Sequence, residues 1–127
     1  NDVALHIRRT DYTNNNFHKV LSINYYYNAL KELSTKVELN RGKELYDIYC
    51  GICHGNKGKG QGKLVQREKI LGIPSYDDVG RAINEGSIYH TIYYGKNAMG
   101  SYANQLNEEE RWQVVSYVLK LKVDLEK

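Results

Sequence analysis

The clearest apolar pattern lies near the end of the chain. Val114, Val115, Val118 and Leu121 recur at helical spacing. Asn107 stands just before this stripe, and Glu108, Glu109 and Glu110 follow it. Asn is a favoured N-cap, Glu110 sits where a capping box wants its acid, and three acids suit the positive end of a helix dipole. Lys120 and Lys122 fall near the other end. The pattern predicts a long amphipathic helix from Asn107 onward. A second helix is expected over Ser87–Tyr94, with Ser87 as N-cap and Gly95 just past its end. A short helix is expected over Asp77–Asn84. The run "NRGKELYDIYCGICH" reads as a further helix capped by Asn40, with Leu45, Ile48 and Tyr49 on one face. Between these elements, "GNKGKGQGK" and "LGIPSY" read as loops. No apolar alternation of period two competes, so the fold class is all-α.

Residues 1–36 look different. They hold the polar run Asn14, Asn15, Asn16 and the aromatic run Tyr25, Tyr26, Tyr27, and show no sustained period. They are read as an extended N-terminal arm without its own core, made for contacts with other subunits, and residues 37–127 as the globular domain. Plain disorder is the rival, but consecutive tyrosines are unusual in a solvated tail. A chain of 127 residues suits one domain plus an arm. No apolar run approaches the roughly 20 residues of a membrane span. No initiator Met and no signal-peptide pattern opens the chain, which reads as a mature product or a piece of one. The formal net charge is +3 and no strong basic stripe stands out, which argues against nucleic acid as a partner.

The chemistry sits in Cys50-Gly51-Ile52-Cys53-His54. The chain's two cysteines are three positions apart, so they cannot staple distant segments. Haem has two vinyl groups, each able to form a thioether with a cysteine sulfur. Cysteines at this spacing at a helix end reach both, and the next residue, His54, then offers the iron an imidazole nitrogen. Structural zinc would need four ligands, and His6, His18 and His90 lack a paired spacing. A thioredoxin-like pair would follow a strand, and a bare local disulfide is the remaining rival. One covalent haem c is the reading that uses all three residues.

The iron then needs a sixth partner or an open site. Met99, the single methionine, stands in "GKNAMGSY", 45 positions after His54 and off any core stripe. A lone Met is usually a flexible core filler. Given a haem, its thioether can arrive from the opposite face, and His/Met ligation raises the reduction potential. His90 is the alternative sixth ligand, lying inside an expected helix among tyrosines.

Residues 40–123 resemble a class I cytochrome c. In that family a glycine and an aromatic residue of the first helix pack against the last helix. The resemblance assigns Gly42 and Tyr46 to one side, and Val114, Tyr117 and Val118 to the other. It also implies that Pro74, the only proline, offers its carbonyl to the ligand histidine, an outer contact that orients the imidazole. The longer runs "GKELYDIYCGICHGNKGKGQGKLVQREKILGIPSYDD", "EGSIYH", "GKNAMGSYANQL" and "ERWQVVSYVLKLK" are similar to the monohaem cytochrome subunit of alternative complex III, a bacterial membrane complex that oxidises quinol. This resemblance covers roughly the last two thirds of the chain. It implies an electron-transfer subunit with no catalytic site of its own, on the periplasmic face of an inner membrane. The implied partners are the other subunits and a downstream cytochrome c or oxidase. Family members are often lipoproteins. Both cysteines here belong to the haem motif, so a lipidated cysteine would lie upstream of residue 1.

Two other classes remain at this stage. One is a haem enzyme or sensor with an open iron position, which requires that Met99 never touch the metal. The other is a module without haem. No carboxylate pair, nucleophile and base, or phosphate loop is convincing, and "GKGQGK" lacks the pattern and strand context of a phosphate loop. Lys57, Lys59, Lys63, Arg67 and Lys69 crowd together with one acid, Glu68. They are read either as a solvated face or as residues beside the haem that steer an acidic redox partner.

Overall fold

The computed structural model describes residues 23–127. The described residues fall into two units, divided between Ser34 and Thr35. The polar run Asn14–Asn16, with Tyr12 and Phe17, lies outside the described residues. Five helices appear among the described residues: α1 (Ile23–Tyr49), α2 (Gly51–His54), α3 (Lys63–Gln66), α4 (Glu85–Tyr94) and α5 (Glu108–Leu125). The described residues form no strand, only one bridge between Lys96 and Met99. The all-α expectation holds.

Helix α1 begins far earlier than its expected cap. It runs through Asn40 without a break, so residues 23–36 are helical rather than extended. No Pro or Gly interrupts residues 23–41, and Ala29, Leu30, Lys31, Glu32 and Leu33 all favour helix. An interior Asn costs well under about 1 kcal/mol, too little to stop a helix that is already propagating. In the first unit, Ile23, Tyr25, Tyr27, Leu30 and Leu33 are exposed.

The second unit is built on the crossing of α1 with α5. Gly42 makes this crossing possible. A Cβ there would collide with the Gln113 carbonyl oxygen, with that carbonyl's carbon at 2.9 Å and Tyr117 Cβ at 3.1 Å. Tyr46 is fully buried and meets Tyr117 edge-on, with ring centroids 5.3 Å apart. Val114, Val115, Tyr117, Val118 and Leu121 are the buried face of α5. The expected cap is in place: Asn107 Oδ1 accepts from Glu110 N at 2.8 Å, and the Glu110 carboxylate accepts from Asn107 N at 3.1 Å.

Two expectations shift. The capping box of α4 belongs to Asn84, three residues before the expected cap. Ser87 closes that box from inside the helix, with both reciprocal bonds at 3.0 Å. The helix expected over Asp77–Asn84 is a series of turns. Asp78 explains this. Its carboxylate accepts from Gly80 N at 2.9 Å and from Arg81 Nε at 3.2 Å. Such local side-chain bonds offer the backbone an alternative to helix, and Gly80 weakens the helical option further.

Candidate haem site

The cysteine motif forms where α1 turns into α2. Cys50 N bonds Tyr46 O at 2.8 Å, so the helical path continues into the motif. Cys53 N and His54 N both reach Cys50 O, at 3.1 and 3.0 Å. One helical turn thus places Cys50 and Cys53 on the same side, as positions i and i+3. Both thiols are free and half-buried. Burial, and to a smaller degree neighbouring Cys53, pushes the Cys50 thiol up to about 12.

The following loop clamps the motif. Gly60 N bonds His54 O at 2.8 Å, Gly62 N bonds Cys53 O at 3.0 Å, and the Tyr46 hydroxyl donates to Gly55 O at 2.8 Å. Tyr76 stacks on the His54 ring, with centroids 5.2 Å apart and planes 20° from parallel. Burial holds the His54 pKa below its usual value, which favours the neutral ring. Its Nδ1 is buried and has no hydrogen-bond partner.

Pro74 is half-buried close by. The Ile73–Pro74 segment presses on Gly60, where a Cβ would lie 3.0 Å from Ile73 C and 3.2 Å from Pro74 C. No hydrogen bond joins His54 Nδ1 to the Pro74 carbonyl. Met99 lies on a separate turn, half-buried. Paired backbone bonds with Lys96, at 2.9 and 3.0 Å, close that turn. The turn is tied to α4: the Ser101 hydroxyl donates to Tyr93 O, and Tyr102 N bonds Ile92 O at 2.8 Å. His90 is exposed on α4, its ring 4.6 Å from that of Tyr94.

The structure therefore gathers Cys50, Cys53 and His54 and sets the Ile73–Pro74 segment against Gly60, whose N–H bonds His54 O. Two further residues escaped the sequence reading. Tyr76 covers the imidazole. Tyr102 packs edge-on against Tyr49 at 6.1 Å, and its phenol is raised by burial and by the nearby Cys50 and Cys53. Each follows a singled-out residue closely, Pro74 and Met99. A lone aromatic in a loop rich in Gly, Ser and Asn was the available signal, since a loop does not otherwise need one.

Two half-buried thiols one turn apart, beside a half-buried imidazole whose buried Nδ1 is orphaned, suit haem c. The thiols match its two vinyl groups, and the imidazole is in the form that ligates a metal. Among the described residues, no three His, Cys, Asp or Glu side chains form a cluster that could hold a bare metal ion. The helical fold and this motif define a class I c-type cytochrome.

Residues 37–118 match the sequence model of the family described as cytochrome C oxidase, cbb3-type, subunit III, and the chain belongs to that family of cytochrome c domains. It is similar to cytochrome c6 of Thermosynechococcus vestitus, 29% identical over 91 residues that cover 72% of this chain and 77% of the relative. Cytochrome c6 of Synechococcus elongatus is 30% identical over 82 residues, 65% of this chain and 88% of the relative. Cytochrome c6 of the alga Alaria esculenta is 25% identical over 83 residues, 65% of this chain and 91% of the relative. The protein is a haem-containing electron-transfer cytochrome, with haem c bound covalently. No described helix is long and apolar enough to cross a membrane.

Proposed function

We propose that Cys50 and Cys53 carry the two thioethers, that His54 and Met99 bind the iron, and that the chain is the monohaem cytochrome subunit of a quinol-oxidising respiratory complex of the alternative complex III kind. Bound there, haem supplies a one-electron ferrous–ferric couple. The chain's own residues set its conditions. The clamped loop fixes the His54 backbone, and Tyr76 shields the imidazole from water. Met99 arrives on a turn anchored to α4, and a thioether ligand raises the potential.

The observation that carries membership of the complex is where the resembling segments fall. "EGSIYH" opens α4, "GKNAMGSYANQL" is the Met99 turn with Tyr102, and "ERWQVVSYVLKLK" is the body of α5. They form one continuous packing unit, so the likeness spans the Met99 side of the domain rather than the cysteine motif alone. The exposed Ile23, Tyr27 and Leu30 on one face of α1 suit burial against another subunit. In this reading residues 1–36 bind neighbouring subunits, residues 37–127 are the haem domain, and the domain works on the periplasmic face of a bacterial inner membrane. A downstream cytochrome or oxidase takes its electrons.

The test is purification from native membranes. The expected result is a covalent haem c that co-migrates with other subunits in a complex reducible by quinol. A cytochrome recovered alone, which quinol-oxidising fractions leave oxidised, overturns the assignment to the complex.

A further inference from the structure

The His54 imidazole lacks the restraint that a ligand histidine ordinarily has. A metal-binding histidine usually donates its second ring nitrogen to a carbonyl, a carboxylate or water, and that bond sets the plane of the ring. Here Nδ1 is buried and has no hydrogen-bond partner among the described residues. The bond from Gly60 N to His54 O, at 2.8 Å, fixes the backbone only. It leaves the ring to turn about its Cβ–Cγ bond, a torsion with broad, weakly separated minima. The plane of the imidazole has to be set by a contact on its face.

Tyr76 makes that contact. Its ring centroid lies 5.2 Å from that of the imidazole, with the planes 20° apart, which is an offset stack of the favoured kind. Turning the imidazole gives up this overlap and swings a ring edge toward the phenol. Tyr76 is itself held from several sides. Its N–H bonds Gly58 O at 3.0 Å. Its ring lies flat on Gly58, where a Cβ would strike Cδ2 and stand 2.7 Å from Cε2. The fully buried Tyr46 meets it edge-on, with centroids 6.4 Å apart. Only 9% of Tyr76 is exposed, so the phenol has no room to swing away. Filling this part of the core would need only an apolar side chain of the right volume. Near-parallel rings on a histidine with an orphaned nitrogen go further than that.

We infer that Tyr76 is a positioning residue of the haem site, whose flat ring, stacked on His54, sets the plane of the imidazole in place of a hydrogen bond to Nδ1. The inference rests on the reading of His54 as an iron ligand and adds what orients that ligand. The orientation has an electronic consequence. The π orbital of a ligand imidazole stands perpendicular to its ring, so the ring plane selects the iron d orbital it meets. That choice decides where the unpaired electron of a ferric haem resides. A ring kept in one plane through both oxidation states also has less to rearrange when the electron moves. The aromatic ring carries this role, and the Tyr76 hydroxyl does not.

The test is proton NMR of the full-chain holoprotein as wild type, Tyr76→Phe and Tyr76→Leu. In the oxidised protein the unpaired electron shifts the haem methyl resonances, and their order reports the imidazole plane. Tyr76→Phe keeps the flat ring and should keep the wild-type order. Tyr76→Leu keeps apolar bulk without a plane and should reorder the methyls while the haem stays covalently bound. Lost packing alone would lower the melting temperature and leave the order as it was. In the reduced wild type, the ring protons of Tyr76 and His54 should show direct cross-relaxation. An unchanged order in Tyr76→Leu overturns the inference, and so does a reordered pattern in Tyr76→Phe. Absence of cross-relaxation between the two rings overturns it as well, even if Tyr76→Leu does not fold. An oxidised wild type without strongly shifted His54 ring protons would show that His54 does not bind the iron. The ligand assignment would then fall along with the inference, so the two failures are told apart.

Discussion

Replacing Gly42 with Ala tests the packing that holds the haem domain together. In an exposed helix interior, Gly→Ala stabilises by about 0.5–1 kcal/mol, because glycine has more freedom to lose on folding. At Gly42 the new Cβ would overlap the Gln113 carbonyl oxygen, with the carbonyl carbon at 2.9 Å and Tyr117 Cβ at 3.1 Å. Ordinary contacts between such atoms are about 3.5–4 Å, so α1 and α5 would have to separate by a sizeable fraction of an ångström. Backbone atoms cannot rotate out of the way as a side chain can. Overpacking of this kind costs about 1–3 kcal/mol and occasionally more. Taking the upper end and subtracting the propensity gain leaves a net loss of about 2 kcal/mol. For a domain of this size, that lowers the melting temperature by roughly 8–16 °C. The assay is urea and thermal unfolding of the holoprotein followed by far-ultraviolet circular dichroism. Gly86→Ala in α4 is the control, since its Cβ would find nothing nearer than Asn84 Oδ1 at 3.6 Å. The control should be neutral or slightly stabilising. If Gly42→Ala also proves neutral or stabilising, the close crossing of α1 and α5 is not what secures the fold.

Substituting Cys50→Ala and Cys53→Ala together should leave no haem on the chain after denaturing electrophoresis; persistent haem staining would refute the thioether assignment. Met99→Ala should lower the reduction potential and let imidazole bind the iron, and an unchanged potential without imidazole binding would point to His90 or to an open position. Asn107→Ala removes the side-chain bond of the α5 capping box, leaves the backbone N–H at 107 still donating to Glu110, and should cost about 1 kcal/mol, read as a lower urea midpoint with unchanged slope. Deleting residues 1–36 should leave the visible spectrum intact and release the cytochrome from its complex. Full co-purification of the truncated chain would show that the tether is elsewhere, and loss of haem would place part of the deleted segment in the domain's fold.

Where the sequence was legible, local chemistry was strong and self-consistent. At α5 the cap, the acidic first turn and the apolar stripe all agreed, and the structure keeps each of them. The cysteine motif needed no tertiary knowledge, since its spacing within one turn already defines what it can hold. The failures came where signals were weak or in competition. Asn40 looked like a cap, but nothing before it breaks a helix, so α1 runs through. Asp78 and Gly80 sit in a stretch that could turn or coil, and the Asp78 carboxylate decided for turns. Tyr76 and Tyr102 were missed for another reason. Their roles depend on contacts across the fold, with His54 and with the α1 end, which no local pattern announces.

The site depends on two kinds of attachment. Cys50, Cys53 and His54 share one helical turn and a clamped loop, so their mutual geometry is set within a dozen residues. Met99 is positioned indirectly. Its turn hangs from α4 through Tyr102 N–Ile92 O and Ser101–Tyr93 O. Helix α4 packs on α5 through buried Ile92 and through Tyr89, whose ring stacks on Trp112 at 4.3 Å. Arg111 of α5 reinforces this join, donating to Tyr89 Oη and to Ala103 O, each at 3.1 Å, and lying 4.8 Å from the Tyr93 ring centre. Helix α5 in turn crosses α1 at Gly42 and Tyr46, one turn before the first cysteine. In the proposed arrangement the cysteine side is thus held by thioethers and local bonds, whereas the Met99 side is held by a relay of three contacts. A perturbation in the α4 or α5 part of that relay acts on the Met99 side without touching the turn that carries Cys50 and Cys53. With Met99 as the proposed ligand, the potential of the haem is therefore the property most sensitive to packing far from it, and the covalent attachment the least.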